Sequence, residues 1–252
     1  MNSCQLEISS PSLPGFYDLV APIYDSHWGR GFFDSASRLF RRHIESRVPT
    51  GGRILDLCCG SGRFASYLGQ AGYQVTGVDS SPALLSEAAK YAPQARLVRA
   101  HMSTFALAET FDAAVCWYNS LNHARDEREL ELIFACVARH LTHSAPFLFD
   151  VILEQDYLHS WRSEDYVLSA DRLYELSYCY LAETQVATCR VRVRSRLDPK
   201  NIDAEALSQQ RPLHTDVIHH ALRRAGFNVV SLKAVKCAHP PSGRLLVLAQ
   251  RR

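Results

Sequence analysis

The stretch Arg53-Ile-Leu-Asp-Leu-Cys-Cys-Gly-Ser-Gly-Arg-Phe-Ala65, followed by Gln74-Val-Thr-Gly-Val-Asp-Ser-Ser81, constrains this chain more than any other part of it. Its first half is an apolar run that breaks at glycines and restarts as a helix. Its second half is a short buried strand ending in a carboxylate. A strand, a glycine-rich turn, a helix and a second strand with a terminal acid form a βαβ unit of the nucleoside-binding kind. Gly60 and Gly62 permit backbone conformations closed to other residues and let a ligand approach the main chain. The N–H groups that open the helix near Arg63 point at that ligand. Asp79, 19 residues after Gly60, stands where an acid accepts both hydroxyls of a ribose.

Gly60-x-Gly62-x-x-Ala65 also satisfies the dinucleotide fingerprint, and Asp56 separates the two readings. It ends the first strand close to where a pyrophosphate would sit, so its charge opposes a dianion and suits a ligand bearing an ammonium and a sulfonium. S-adenosylmethionine is such a ligand. On these residues the chain resembles the class I S-adenosylmethionine-dependent methyltransferases. Leu55 to Gly62 looks like the first motif of that family and Val78-Asp79-Ser-Ser81 like its second. Phe111 to Asn122 is similar to the fourth-strand motif, and Ala225-Gly-Phe227 to the link into the last two strands.

The resemblance implies an α/β fold: a Rossmann-like, seven-stranded, mostly parallel sheet with helices on both faces, plus a small antiparallel β lid. One domain spans 1–252, with an N-terminal helical cover over 16–48 and a lid, the substrate-binding insertion, over 154–212. Periodicity predicts strands over 53–57, 74–79, 96–100, 112–118 and 145–153, and a closing pair over 227–235 and 245–249. Helices are expected from about 63 to 70, from Pro82, from the acidic capping pair Asp126 and Glu129, and from Thr215 to Gly226. A further helix is expected from an Asp34 cap to about Arg47, after a short helix or turn over 16–28. Within 154–212, alternation around Tyr174–Tyr180 and Val191–Val193 predicts two antiparallel strands. The second of these carries a strip of arginines (Arg190, Arg192, Arg194, Arg196), read as a solvated strand face in preference to an anion site.

The cofactor site implied by the resemblance draws on Asp56, Cys58, Gly60, Asp79 and Ser80, on Trp117 or Asn119 at the end of the fourth strand, and on Tyr17 and Tyr24 from the cover. Cys58 stands where the family more often has its first glycine. Where the family commonly has an acid for the adenine amino group, this chain has His101 and Met102. His101 is expected to accept through a neutral ring nitrogen, with Met102 against the base. Histidine suits removal of an acceptor proton near neutral pH. His123, a few residues past the fourth strand, is the first catalytic candidate, followed by His219 and His220 on the helix beneath the lid.

The 252 residues carry a net charge of +2, which gives no bulk attraction to nucleic acid or membrane. No run approaches the ~20 apolar residues of a membrane span, and Met1 to Gly15 lacks the features of a secretory signal. The eight cysteines form no C-x-x-C pair and are expected to be reduced thiols of a cytoplasmic protein. His140-x-x-His143 lacks further ligands, so no metal is expected. No lysine follows the glycines as a phosphate-cradling loop requires. The expected activity is methyl transfer from S-adenosylmethionine, leaving S-adenosylhomocysteine, to oxygen or nitrogen of a small natural-product, sugar or amino-acid-like acceptor. The expected protein is a monomer or homodimer with no nucleic-acid or membrane partner. The rivals are a methyltransferase-fold protein that binds the cofactor without transferring methyl, a nicotinamide-dependent dehydrogenase, and a nucleic-acid methyltransferase.

Overall fold

The computed structural model describes residues 15–236 and 243–252, so expectations for the first fourteen residues, and for Cys4 and Cys237, lie outside the described residues. The chain opens with α1 (Phe16–Tyr24), a π-helical turn (Asp25–Gly29) and α2 (Arg30–His43). The glycine-bearing unit is β1 (Arg53–Leu57), α3 (Arg63–Gln70) and β2 (Gln74–Asp79). It continues through α4 (Pro82–Tyr91), β3 (Arg96–Arg99), β4 (Ala113–Cys116), α5 (Glu127–Arg139) and β5 (Pro146–Val151). An insertion follows: α6 (Glu154–Ser160), β6 (Glu164–Leu168), β7 (Arg172–Leu181), β8 (Val186–Ser195) and β9 (Ala204–Gln210). The chain closes with α7 (Thr215–Arg224), β10 (Phe227–Lys236) and β11 (Gly243–Arg251).

The main sheet has seven strands in the order β10-β11-β5-β4-β1-β2-β3. β11 runs antiparallel to both β10 and β5, while β5, β4, β1, β2 and β3 are parallel. This is the expected fold class. Central strands read as continuous apolar runs because both faces are covered: all six residues of β5 and all four of β4 are buried. On one face α5 and α7 pack Phe134, Val137, Ile218 and Leu222 against Phe147 and Phe149. On the other, α2 and α3 pack Phe40, Phe64 and Leu68 against Ile54 and Val115. The strand order reverses where β4 and β2 flank β1, so loops from β1 and β4 diverge there and leave a crevice at their carboxyl ends.

The structure corrects the sequence reading in three places. The cover is helical from Phe16 to His43, interrupted by the π turn and not by Pro22, so Asp34 lies inside α2 and caps nothing. The insertion is a separate four-stranded antiparallel sheet, β6-β7-β8-β9, where two strands were expected. β6 and β9 are short edge strands of weak alternation, and their signal was lost beside the long β7–β8 pairing. Thr215 is the first residue of α7, after His214 in the cap position. Elsewhere the capping chemistry is as expected: Ser81 accepts from the Leu84 N–H at 3.1 Å before Pro82, and Asp126 accepts from the Glu129 N–H at 2.8 Å.

The arginine strip on β8 is an ion-paired outer face. Arg192 meets Glu205 at 2.8 Å and Arg194 meets Glu175 at 3.0 Å, while the alternate residues Cys189, Val191 and Val193 are buried. Cys58, Cys59, Cys116, Cys136 and Cys189 are free thiols, but Cys179 is disulfide-bonded, which departs from the expectation of reduced thiols throughout. Among the described residues no helix is long and apolar enough to cross a membrane. Phe134 is fully buried between α5 and the sheet, so Phe134→Ala is expected to destabilise the fold by about 3–5 kcal/mol, read as a lowered urea midpoint with an unchanged denaturant slope.

Candidate active site

The crevice is organised by Asp79 at the end of β2. Its Oδ2 accepts from the Gly60 N–H and its Oδ1 from the Ser81 N–H, each at 2.9 Å, joining the glycine loop to the start of α4. The loop itself takes left-handed backbone at Cys58 (φ 57°), Gly60 (54°) and Gly62 (77°). Left-handed φ at Cys58 explains why glycine is the easier residue there. A side chain at Gly62 would meet the Cβ of Ala88 on α4 at 2.7 Å.

The cover helix is fastened to both loops. Asp18 accepts from the Ser81 hydroxyl and, at 3.3 Å, from the Ala83 N–H. Asp25, in the π turn, accepts from Arg63 Nε at 2.8 Å and from the Ser61 hydroxyl at 3.3 Å. These bonds bring Tyr17 and Tyr24 over the carboxyl edge, with the Tyr24 ring 3.4 Å from where a Gly60 side chain would begin.

Three cavities meet beneath this cover, and Tyr24 and Tyr118 stand in the walls of all three. The first, about 200 Å³, lies over Gly60, Asp79 and Ser80, with His101, Met102 and His123 on its far side. The Cys58 thiol lies 3.8 Å from the Met102 sulfur. His101 Nδ1 lies 2.8 Å from the Ser103 hydroxyl and accepts from the Ser103 N–H at 3.3 Å.

The second cavity, about 60 Å³, holds Asp56 and Trp117. Asp56 is buried with Oδ2 lacking a hydrogen-bond partner, and the Trp117 indole N–H lacks one as well. An orphaned acid and an orphaned donor in one small space call for a ligand carrying both signs of charge. Burial, reinforced by the nearby Asp79 charge, pushes the Asp56 carboxyl up to about 8.

The third cavity, about 390 Å³, opens between the cover and the β6–β9 sheet. Its walls are largely aromatic, including Phe16, Trp28, Trp161 and Tyr178. Asn119 lies here and not in the cofactor-like cavities. Tyr118 (φ 64°) and Asn119 (φ 50°) are consecutive left-handed residues, a strained turn held by the buried Asp150, which accepts from the Asn119 N–H at 3.0 Å. Asp150 also pairs with the buried Arg244 of β11.

His123 sits where this cavity meets the first. Its Nδ1–H donates to the Gln209 carbonyl at 2.8 Å. Nε2 is therefore the acceptor, receiving the Tyr17 hydroxyl at 2.7 Å and the Gln210 amide at 3.1 Å. Gln210 is held in turn: its Oε1 accepts from Asn119 at 2.9 Å and from the Tyr157 hydroxyl at 2.8 Å. Burial lowers the His123 pKa to about 4, so the ring is neutral at physiological pH. Burial likewise raises the Tyr17 phenol, which has Ser208 as a further hydrogen-bond partner. Sequence reasoning missed Gln210, Tyr157 and Arg244, since no local motif marks residues that meet only through tertiary pairing. His219 and His220 are exposed on α7, whose Ile218, Ala221 and Leu222 take the inward face, and they line none of these cavities. His140 is committed elsewhere, bonding the Cys136 carbonyl and the Leu107 N–H.

Residues 54–144 match a family model described as Methyltransferase domain. The chain is 31% identical over 139 residues to YqeM of Bacillus subtilis (strain 168), provisionally assigned as a methyltransferase, covering 54% of this chain and 55% of that protein. It is 30% identical over 132 residues to the dTDP-3-amino-3,6-dideoxy-alpha-D-glucopyranose N,N-dimethyltransferase of Streptomyces fradiae, covering 52% and 50%. The chain thus spans about half the length of these two curated relatives. Among solved structures, CalS10 of Micromonospora echinaspora, an amino pentose methyltransferase with S-adenosylmethionine bound, superposes with a TM-score of 0.70 at 21% identity, covering 98% of this chain and all of that one. The chain therefore shares the fold of solved methyltransferases, and its nucleoside-binding half, residues 54–144, matches the methyltransferase-domain model.

Proposed function

We propose that this protein transfers a methyl group from S-adenosylmethionine to nitrogen or oxygen of a small molecule held beneath the β6–β9 sheet, which serves as a lid. The observation that carries this reading is the junction of three unlike cavities at Tyr24 and Tyr118. One offers a ribose acid, one an unpaired carboxyl beside an unpaired indole N–H, and one a large aromatic chamber.

Asp79 keeps lone pairs for ribose hydroxyls after accepting its two backbone bonds. Met102 and His101, on the far side of the Asp79 cavity, would hold the adenine base. Asp56 and Trp117 suit the ammonium and carboxylate of the amino-acid end. Bound there, S-adenosylmethionine supplies a methyl group already activated by its sulfonium, so the chain supplies alignment, a dry site and control of a proton.

Tyr17 and His123 provide the alignment. A histidine with a pKa of about 4 is a poor store for a proton taken from an amine. Its work is orientation: Nε2 draws the Tyr17 hydrogen toward itself. The phenol oxygen then faces the acceptor with a lone pair and aligns the attacking atom. The expected result for Tyr17→Phe and His123→Gln is a fall in turnover of roughly ten- to a hundredfold with nearly unchanged S-adenosylhomocysteine affinity. A rate equal to wild type would remove the pair from the reaction.

The reading is tested by calorimetric titration with S-adenosylmethionine and S-adenosylhomocysteine, with NADH as control, followed by tritiated-methyl transfer to candidate acceptors. Binding of the adenosyl ligands alone is expected; a preference for NADH would overturn it. Asp79→Ala should weaken adenosyl binding by roughly 1–3 kcal/mol.

Asp56 adds a pH signature. With its folded pKa at about 8, above the ordinary carboxyl value, it contributes most to stability at low pH and loses that contribution as pH rises toward 8. Pairing with a ligand ammonium ionises it and releases a proton. Affinity for S-adenosylhomocysteine should therefore climb from pH 6 to 8, by up to about tenfold per unit, and Asp56→Asn should flatten that climb.

A further inference from the structure

The large cavity carries more information than its position. Its sixteen described lining residues include no lysine and no arginine, and the acid among them is Asp165. Arg244, behind Asn119 and Tyr118, has a fully buried side chain paired with Asp150 and covered by the Phe32 and Tyr118 rings at 4.6 and 5.0 Å. The β8 arginines face the other side of their sheet, against glutamates.

A diphosphate needs fixed cationic donors, and arginine forks above all. The cavity offers the reverse. Tyr24, Trp28, Tyr118, Trp161 and Tyr178 line it, and the faces of such rings attract an ammonium. Asp165 stands at its rim, with His27 Nε2 3.6 Å from its Oδ2. That separation is longer than a hydrogen bond, so the pair leaves the carboxylate able to accept from a ligand. The field of Asp165 reaches the cavity wall, where it adds to burial in raising the Tyr178 and Cys189 pKa values.

We infer that the acceptor is a compact amine, cationic in solution and carrying no phosphate or nucleotide, whose ammonium is drawn in by the aromatic walls and Asp165. This rests on the methyl-transfer reading of the site and narrows it. The amine loses one proton to solvent before its lone pair forms the new nitrogen–methyl bond. As the sulfur–methyl bond breaks, its electron pair stays on sulfur, leaving the neutral thioether.

The test is a charge series on one body, titrated calorimetrically into protein saturated with S-adenosylhomocysteine: phenethylamine, 2-phenylethanol and 3-phenylpropionate, with thymidine diphosphate as the phosphate probe. Phenethylamine is expected to bind about tenfold tighter than the alcohol, with the two anions weakest. Asp165→Asn, a change at a half-exposed rim position, should reduce that preference to about threefold, with an unchanged melting temperature. The inference is overturned if thymidine diphosphate or phenylpropionate binds most tightly. It is equally overturned if the amine binds no better than the alcohol, or if the preference survives intact in Asp165→Asn. Titration of the unsaturated protein separates the two layers. Failure of S-adenosylhomocysteine to bind while the amine preference persists would bring down the methyl-transfer reading alone.

Discussion

The two oxygens of Asp79 hold the site together. Each accepts one backbone N–H, from Gly60 and from Ser81, so one carboxylate fixes the loops that follow β1 and β2. Both loops then serve as anchorage for the cover, through Asp25 to Ser61 and Arg63 and through Asp18 to Ser81 and Ala83. Without that anchorage Tyr17 and Tyr24 would have no fixed place, and the cavities would lose their common wall. Desolvation raises the Asp79 pKa, and backbone hydrogen bonds from Ser81, Gly60 and Ser80 oppose that rise.

A second framework runs from the sheet edge to the lid. Arg244 pairs with Asp150, Asp150 holds the Tyr118–Asn119 turn, Asn119 orients Gln210, and Gln210 with the Gln209 carbonyl fixes the tautomer of His123. Every member except Gln209 is buried or half-buried, so a broken link among them leaves a polar group without water to replace its partner. The strained backbone at Tyr118 and Asn119 persists because this network over-determines it.

What was legible in the sequence follows from which forces are local. β1, α3 and β2, the Ser81 and Asp126 caps and the alternating β7 and β8 are set by neighbouring residues, and their periods could be read directly. Glycine spacing and Asp79 located the crevice for the same reason. The edge strands β6 and β9 depend on partners already in place and left only faint patterns. Helix continuity through Pro22 rests on tertiary packing of Val20 and Ile23 against the insertion, not on propensity. The histidines were separable only by helix phase and pairing: His123 faces a lid strand 86 positions away, while His219 and His220 fall on the wet side of an amphipathic helix.

That lid strand has a consequence for how the molecule is made. The nucleoside-facing loops are joined by contacts close in sequence, 19 positions between Gly60 and Asp79. The Asn119–Arg244 bond spans 125 positions and the Gln210–His123 bond 87. Contacts of such separation form late, because closing long loops costs entropy before any partner returns it. A chain emerging from the ribosome thus has its adenosine-facing half encoded early. The half that orients Tyr17 and His123 comes into being only when the final strand is in place, so a truncated product lacks it.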